Sequence, residues 1–218
     1  VNIIGDYAFQ NDAVKELVIP KTVGSIGKFA FDSCEALKKL SFEEDSICSS
    51  IGESAFSKCK LLEAGTNASN KNENVLFIPE TVKTIGKEAF FGDDKIGQID
   101  INGMDTEIAE TSAIPKTTKV GCYADSKAYK FADANKYLIA LFVGFDADDV
   151  TDVGTDYKGS KNVSTIAFGS KIETIADEAF QNCGNLSEVW IGGKDGETKL
   201  KKIGNEAFSD CTKLERVV

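Results

Sequence analysis

The sequence predicts an α/β solenoid: a right-handed superhelix with short parallel strands on its concave face, short helical or 3₁₀ turns opposite, and a helical, cap-like segment that interrupts it. Three observations support this prediction. The motif Ile-Gly-x-x-Ala-Phe recurs along the chain, short stretches of alternating apolar residues accompany its copies, and all three prolines stand in the same local context. A single unit of this size cannot bury its own apolar residues, so successive units are expected to stack.

The recurring motif occurs six times, once with alanine in place of glycine. In four copies a cysteine follows three residues after the phenylalanine, whereas Asp12 and Asp93 take that place in the other two. The motif phenylalanines, which are expected to form a buried spine, are Phe9, Phe31, Phe56, Phe90, Phe180 and Phe208. The closest copies are 22 residues apart, and the longer intervals indicate insertions, which the loops of a solenoid tolerate. Two such loops are predicted over residues 65–74 and 192–199.

Each unit is predicted to contain a short strand in which inward-facing apolar residues alternate with variable, outward-facing ones. The inward pairs are Leu17 and Ile19, Leu40 and Phe42, Leu76 and Ile78, Ile99 and Ile101, Ile166 and Phe168, and Val189 and Ile191. Pro20, Pro79 and Pro115 each follow an isoleucine in the context Ile-Pro-x-Thr. Because proline lacks an N–H and fixes φ, it is expected to end the strand and to turn the chain out of the sheet.

The outward positions of these strands are expected to line the concave face, which in a solenoid is an extended docking surface. The candidate ligand-binding residues there are Val18, Lys39, Phe77, Asp100, Glu188 and Trp190. Phe77 and Trp190 stand out, because exposed aromatic side chains are typical interface anchors. The alternative is that a helix or an insertion loop covers these two rings.

The combined pattern of Ile-Pro-x-Thr-Val and Ile-Gly-x-x-Ala-Phe-x-x-Cys-x-x-Leu resembles the BspA-type leucine-rich repeat of bacterial surface proteins, over residues 1–121 and 163–218. The chain departs from this pattern at Asp12 and Asp93, at Ala176, which replaces a glycine, and in the long interval between Phe90 and Phe180. The resemblance implies a leucine-rich-repeat superhelix with an adhesin-like role, located at the cell surface or secreted.

The chain is expected to have three parts: a first repeat array over residues 1–121, a helix-plus-strand cap or insertion over residues 122–160, and a second array over residues 161–218. Within the middle part, Asp125 or Ser126 suits the start of a short amphipathic helix and Asn135 its end, with an apolar strand following over residues 137–145. Such a helix resembles the element with which BspA-like arrays often close. Tandem subdomains and one superhelix with an insertion are both compatible with this order.

The composition limits the functions that the chain can carry. It has no histidine, which excludes Ser-His-Asp and Cys-His catalysis, and we expect neither catalytic residues nor a metal or cofactor. The net charge of −10 argues against nucleic-acid binding, and no apolar run approaches the ~18 residues that span a bilayer. No signal peptide is predicted. Because Val217 and Val218 stand where another strand would begin, the second array is expected to continue past the C-terminus.

The cysteines and acidic residues have structural and functional interpretations. Cys34, Cys59, Cys183 and Cys211 share one repeat position, which favours buried free thiols over disulfides (Cys34 to Cys59, Cys183 to Cys211) or a thiolate metal site. An exposed thiol is conceivable at Cys48 or Cys122. The acidic stretch over residues 146–156 suggests a calcium site but departs from the EF-hand pattern, which favours a solvated hairpin.

Three hypotheses about function follow. The first is a non-enzymatic binding module that engages a host or neighbouring-cell protein or glycan through the concave face. The second is a structural spacer that presents another domain of a larger surface protein. The third, a hydrolase with a pair of carboxylates, is disfavoured because solenoids offer few clefts.

Overall fold

The computed structural model describes residues 1–64, 75–144, 150–192 and 198–218, which form a solenoid of parallel strands with about eight turns. Two compact units are present: Val1–Val120 with Ser126–Tyr137 form the first, and Gly121–Asp125 with Leu138–Val218 form the second. The predicted loops over residues 65–74 and 192–199 lie wholly or largely outside the described residues, as do Asp146, Asp148 and Asp149 of the acidic stretch.

The described residues contain two kinds of strand, together with one α-helix, α1 (Lys127–Ala134), and one 3₁₀ segment (Thr111–Ala113). The longer strands are β2 (Glu16–Ile19), β4 (Lys39–Phe42), β6 (Val75–Ile78), β8 (Gln98–Ile101), β10 (Lys119–Tyr123), β11 (Ile139–Val143), β13 (Val163–Phe168) and β15 (Glu188–Ile191). The two-residue strands are β1 (Ile3–Ile4), β3 (Ser25–Ile26), β5 (Ser50–Ile51), β7 (Thr84–Ile85), β9 (Glu107–Ile108), β12 (Asp152–Val153), β14 (Thr174–Ile175), β16 (Lys202–Ile203) and β17 (Arg216–Val217).

In the first unit the two-residue strands form one parallel sheet in the order β1-β3-β5-β7-β9. Its register places Ile4 beside Ile26, then Ile51, then Ile85. Of the longer strands, β2 pairs with β4 and β6 pairs with β8, again in parallel. The longer strands occur where the alternation of apolar residues predicts them, because their inward residues fill the core between the two sets of strands.

The second unit repeats this arrangement. The strand β13 pairs with β11 on one side and β15 on the other, and β15 pairs with β17. The other two-residue strands form the order β12-β14-β16. Thus β11 and β12, which lie in the predicted middle part, pair with strands of the predicted second array. The three-part division of the chain remains a prediction.

A spine of stacked aromatic rings confirms that the units lie on top of one another. The ring centroids of Phe9, Phe31, Phe56 and Phe90 follow one another at 5.1, 5.3 and 5.5 Å, with the ring planes within 6° of parallel. In the second unit, Phe180 stacks between Tyr157 and Phe208 at 5.4 and 5.3 Å. Tyr157 therefore takes the phenylalanine position in a turn of the solenoid that lacks the sequence motif.

The described segments between the strands are mostly chains of turns, with helical structure at Thr111–Ala113 and in α1, so short helical or 3₁₀ segments in every repeat are not confirmed. Each motif contains two residues with positive φ, such as Phe29 at 53° and Ser33 at 60°, and a left-handed residue interrupts a helix. Their N–H groups donate to the next unit instead, to the carbonyl oxygens of Glu53 at 2.9 Å and Ser57 at 2.7 Å. The backbone hydrogen bonds thus join units, whereas helical ones would lie within a unit.

The motif glycines other than Gly5 are required by close contact between the backbones of neighbouring units. A Cβ atom added to Gly52 would lie 2.6 Å from the carbonyl carbon of Gly27, and one on Gly86 would lie 2.7 Å from that of Gly52. No side chain fits at such distances. The repeated glycine therefore reflects the spacing between stacked units.

The helix α1 has the boundaries expected from its capping residues. The Ser126 hydroxyl accepts a hydrogen bond from the Tyr129 N–H at 3.0 Å, and Asn135 ends the helix. Within the first unit α1 packs against β9, the last strand of that unit's short-strand sheet. Its role as a cap remains a prediction. No helix among the described residues is long and apolar enough to cross a membrane.

Candidate binding surface

The longer strands hold all six candidate residues on their outward face. In β4, for example, Lys39 is exposed and Ser41 half-buried, whereas Leu40 and Phe42 between and after them are buried. The candidate residues are Val18 on β2, Lys39 on β4, Phe77 on β6, Asp100 on β8, and Glu188 and Trp190 on β15. Because parallel pairing sets residues of neighbouring strands side by side, the register decides which of them meet.

A first cluster, the Asp100 cluster, consists of Phe77, Gln98 and Asp100 in the first unit. Phe77 lies beside Asp100 in the register of β6 and β8, and both are half-buried. The Gln98 side-chain amide donates to Asp100 Oδ1 at 2.6 Å. Burial raises the pKa of the Asp100 carboxyl to about 6, although the Gln98 hydrogen bond and the charge of Lys119 oppose the shift. The cluster therefore offers an aromatic edge beside a carboxyl that changes charge near neutral pH.

A second cluster, the Trp190 cluster, consists of Glu188, Trp190 and Arg216 in the second unit. Trp190 donates through Nε1 to Glu188 Oε2 at 3.2 Å, and the Arg216 guanidinium lies 4.6 Å from the centroid of the indole ring. The register of β15 and β17 places Glu188 beside Arg216. The half-buried indole is thus held by a hydrogen bond and by a cation–π contact, which fixes an aromatic surface between two opposite charges.

The remaining candidates lie on β2 and β4, away from both clusters in sequence. Val18 is 55% exposed and lies beside Ser41, and Lys39 is exposed beside Glu16. The first unit therefore adds an exposed apolar side chain and a pair of opposite charges to its outward strand face. Neither Phe77 nor Trp190 is fully covered, as their half-buried side chains show.

Arg216 is a site residue that the sequence-based prediction omits, although the sequence contains a signal for it. The spacing from Leu214 to Val217 equals the spacing from Leu37 to Leu40, so Arg216 occupies the repeat position of Lys39. Its contact with Trp190 could not be predicted from this spacing, because it depends on the side-chain conformations of both residues.

The cysteines are buried or half-buried in this arrangement. All six are free, which confirms the prediction of unpaired thiols, and all are buried except the half-buried Cys211. The suggestion of an exposed thiol at Cys48 or Cys122 is wrong, since both are fully buried. Burial raises the pKa of the Cys183 thiol to about 11 and also that of Cys59, so neither is a thiolate at neutral pH.

Each thiol of the cysteine ladder, which is the row formed by Cys34, Cys59, Cys183 and Cys211, donates to a backbone carbonyl of the preceding unit. Cys34 Sγ lies 3.1 Å from the carbonyl oxygen of Phe9, and Cys183 Sγ lies 3.1 Å from that of Tyr157. The ladder therefore contributes to stacking. In the part of the chain that the structure describes, no group of three or more acidic, cysteine or histidine side chains is arranged to hold a metal ion.

The described part of the acidic stretch shows local hydrogen bonding. Asp152 accepts hydrogen bonds from the hydroxyl groups of Thr174 and Thr151, and these bonds, the one from Thr174 first, lower the pKa of its carboxyl. Asp152 is exposed and pairs with Thr174 in the short-strand sheet.

Comparison with known proteins identifies the repeat. A family model described as a BspA type leucine rich repeat region matches residues 2–112 and 148–218, in six copies. None of the curated proteins matches the chain. A leucine rich cell surface protein from Faecalibacterium prausnitzii A2-165 aligns with 100% of this chain and 82% of its own, at 18% identity and a TM-score of 0.33.

Two further solved structures show similar values. A leucine rich repeat protein from T. pallidum aligns with 99% of this chain and 72% of its own, at 16% identity and a TM-score of 0.44. The pneumococcal vaccine antigen PcpA aligns with 100% of this chain and 59% of its own, at 21% identity and a TM-score of 0.39.

Proposed function

The chain belongs to the family of BspA-type leucine-rich-repeat proteins, and we propose that it is a non-enzymatic, adhesin-like binding module. In this proposal it acts at the cell surface or as a secreted protein, and it engages a host or neighbouring-cell protein or glycan through the outward face of its longer strands. The observation that carries the proposal is the Trp190 cluster, in which a half-buried indole is held between Glu188 and Arg216.

The outward strand positions are the part of the repeat that stacking leaves free. Inward residues such as Ile99 and Ile166 are fully buried and are dictated by the core, whereas the outward residues differ from strand to strand. Aromatic side chains with a polar edge are the commonest energetic centres of binding surfaces, because they bury a large area at low entropic cost. A tryptophan at an outward position fits that use.

The chemistry of the chain supports binding over catalysis. The sequence contains no histidine, and burial keeps the ladder thiols protonated at neutral pH. Among the carboxyls of the candidate surface, that of Asp100 has a pKa raised to about 6, and it accepts a hydrogen bond from the Gln98 amide. Hydrolysis by carboxylates requires two acids that face each other across a cleft. The strand face therefore offers recognition groups without a reacting pair.

Alanine substitutions at the two aromatic candidates test the proposal. The chain is screened against immobilised host matrix proteins and glycans, and Trp190→Ala and Phe77→Ala are compared with the wild type on every ligand found. Loss of an anchor of this kind is expected to weaken binding by about 10-fold or more. Phe91→Ala is the matched control, because Phe91 is 48% exposed but lies on a turn outside the strand face. Binding that survives both substitutions would exclude this surface.

The second candidate function is a structural spacer that presents another domain of a larger surface protein. The stacked phenylalanine spine favours it, since a continuous core makes a stiff support. A spacer binds none of the ligands in the screen, and its role survives the substitution of Trp190. Labelling of intact source cells with an antibody against this chain tests the proposed surface location in either case.

A further inference from the structure

On the outward strand face of the second unit, one small residue lies between two large aromatic ones. The register sets Phe142 of β11 beside Ala167 of β13, and Ala167 beside Trp190 of β15. All three residues are half-buried, so Ala167 keeps contact with solvent between its two larger neighbours. Ala167 is therefore the floor of a slot, the Phe142–Trp190 slot, whose walls are the two aromatic side chains.

Two contacts orient the indole of Trp190 so that one of its faces borders the slot. Its Nε1 donates to Glu188, two residues earlier on the same strand, so the ring plane runs along β15. Arg216 lies over the ring from β17, which pairs with β15 on the side opposite to β13. The guanidinium therefore covers the face that is directed away from Ala167, and the other face borders the slot.

The opposite wall is also supported from outside the slot. Tyr123 of β10 packs against Phe142, with the ring centroids 5.7 Å apart and the ring planes at 69°. Because β10 lies on the side of β11 opposite to β13, Tyr123 packs behind Phe142 as seen from the slot. Each wall is thus held by a neighbour, which limits the conformational entropy that the wall loses when a ligand enters.

The aromatic spine of the same unit shows what a space of this width holds. The two walls lie two strands apart, and Tyr157 and Phe208 of the spine likewise lie two turns apart. Phe180 fills the space between those two rings, with its centroid 5.4 and 5.3 Å from theirs and its plane within 6° of both. Because adjacent strands are about 4.8 Å apart, the slot has room for one six-membered ring.

A carboxylate and a hydroxyl group lie at one end of the slot. Thr165 and Glu188 are neighbours in the register of β13 and β15, and they precede Ala167 and Trp190 by two residues. Glu188 Oε2 accepts the indole hydrogen bond, and the two oxygens of a carboxylate can accept several more. The slot therefore joins two aromatic walls to a hydrogen-bond acceptor.

A sugar ring matches both parts of the slot. A pyranose has C–H groups on its faces, which suit the negative faces of aromatic rings, and hydroxyl groups around its edge, which donate to a carboxylate. A hydrocarbon ring such as that of phenylalanine would displace water from Glu188 without replacing its hydrogen bonds. Because the slot has an aromatic wall on each side, the sugar needs two flat faces, which a pyranose has when its hydroxyl groups are all equatorial.

We propose that the Phe142–Trp190 slot binds one uncharged pyranose unit of a glycan, with all of its hydroxyl groups equatorial, as in the gluco and xylo configurations. This inference rests on the proposed function and selects a glycan as its ligand. An acidic sugar is excluded because Glu188 would repel its carboxylate. An axial hydroxyl group, as at C4 of galactose or C2 of mannose, would project from one face of the ring toward a wall.

The fluorescence of Trp190, the single tryptophan of the 218-residue chain, reports on the slot directly. Titration with cellotriose is expected to change the fluorescence in a saturable way. Galactotriose and β-1,4-mannotriose are expected to bind about 10-fold more weakly or less, because their axial hydroxyl groups meet a wall. Isothermal titration calorimetry with the same sugars measures binding without relying on the indole.

Ala167→Leu tests the slot without removing either wall, because the larger side chain occupies the space above the floor. It is expected to weaken cellotriose binding about 10-fold or more, and Phe142→Ala, which removes a wall, is expected to do the same. Ser41→Leu is the matched control, because Ser41 is the half-buried third residue of β4 in the first unit, as Ala167 is half-buried on β13. Circular dichroism checks that each variant is folded.

The outcomes separate this inference from the proposed function. Equal binding of the three sugars, or cellotriose binding that survives both Ala167→Leu and Phe142→Ala, would overturn the slot. A chain that binds a protein through Trp190 but no sugar would also overturn the slot and would leave the proposed function standing. Ligands that all survive Trp190→Ala and Phe77→Ala would instead overturn the proposed function, and the slot with it.

Discussion

Replacing Asp93 with cysteine is expected to stabilise the protein and to remove a pH dependence from its unfolding. Asp93 stands at the ladder position and is fully buried, yet neither of its carboxyl oxygens has a hydrogen-bond partner among the described residues. Cys59, one unit earlier, donates its thiol to the carbonyl oxygen of Phe31 at 3.3 Å. Burial raises the pKa of Asp93 to about 9; the Cys59 backbone lies near enough to oppose this shift in part, while Asp94 and Asp32 reinforce it.

The magnitude follows from the difference in pKa between the two states. The unfolded carboxyl titrates at its usual 3.8, whereas the folded one keeps its proton up to a pH of about 9. The unfolded state therefore binds fewer protons, and stability falls as the pH rises from about 4 to about 9. A pH of 7 lies about 3 units above the pKa of the unfolded carboxyl. At ~1.4 kcal/mol per unit, keeping the carboxyl protonated at this pH costs the folded state about 4 kcal/mol.

Urea unfolding at pH 4 and pH 7 measures this cost. We expect Asp93→Cys to be more stable than the wild type by about 2–4 kcal/mol at pH 7 and by about 1 kcal/mol at pH 4, where only the hydrogen-bonding difference remains. Asp12→Cys is the matched control, because exposed Asp12 holds the same repeat position and accepts a hydrogen bond from the Ala13 N–H. The reasoning is refuted if Asp93→Cys leaves the difference between the two pH values unchanged.

Three further substitutions test the packing of the stack, each by urea unfolding at pH 7. Phe56→Ala, in the middle of the aromatic spine, is expected to cost about 3–5 kcal/mol, and a loss below about 1 kcal/mol would show that the stack does not carry the core. Gly52→Ala is expected to destabilise by about 1–3 kcal/mol through a backbone clash, unlike Gly5→Ala, where no atom lies within 4 Å; equal effects would contradict the spacing argument. Tyr137→Phe removes a hydroxyl that lies 2.9 and 2.8 Å from the carbonyl oxygens of Thr111 and Ile114 and shares its one proton between them. This substitution is expected to cost about 1–3 kcal/mol, whereas an unchanged midpoint would exclude hydrogen bonding by this hydroxyl as stabilising.

The stacking of units could be predicted from the sequence because it depends on spacing. Residues such as Leu40 and Phe42 alternate with polar neighbours, and only a strand places both of them in the core. The aromatic spine follows from the repeat for the same reason. Tyr157 could not be found from the repeat, because its unit keeps the ring but not the motif around it.

The turns and the two-residue strands could not be predicted in the same way. The residues between the strands have ordinary helix propensities, and nothing local in Phe29 or Glu88 indicates a positive φ of 53° or 55°. These conformations are stabilised by hydrogen bonds to the neighbouring unit, such as Phe29 N–H to Glu53 O at 2.9 Å. The carbonyl group that accepts each of these hydrogen bonds lies about one repeat away in sequence, so the helix propensities of the local residues do not indicate it.

The candidate surface was predictable at the level of strand faces but not at the level of clusters. Alternation alone identifies Phe77, Asp100 and Trp190 as outward. It does not show that Gln98 donates to Asp100, or that Arg216 lies over Trp190, because both contacts depend on side-chain conformation. The raised pKa of Asp100 follows from burial, which a strand pattern does not measure.

Each of the longer strands has two outward positions, so its outward residues belong to two rows that run across the strands. The two rows differ in what they contribute to strand pairing, and this difference can distinguish a binding module from a spacer. The row that includes Glu16 beside Lys39 and Glu188 beside Arg216 sets opposite charges on adjacent strands, which stabilises their pairing in any solenoid. In the second row, Trp190 lies beside Ala167, which gives the indole no such pairing advantage, and its polar contacts are with Glu188 and Arg216 of the first row. A spacer needs the first row only. Substitutions in the second row that abolish binding without lowering stability therefore identify recognition as its role.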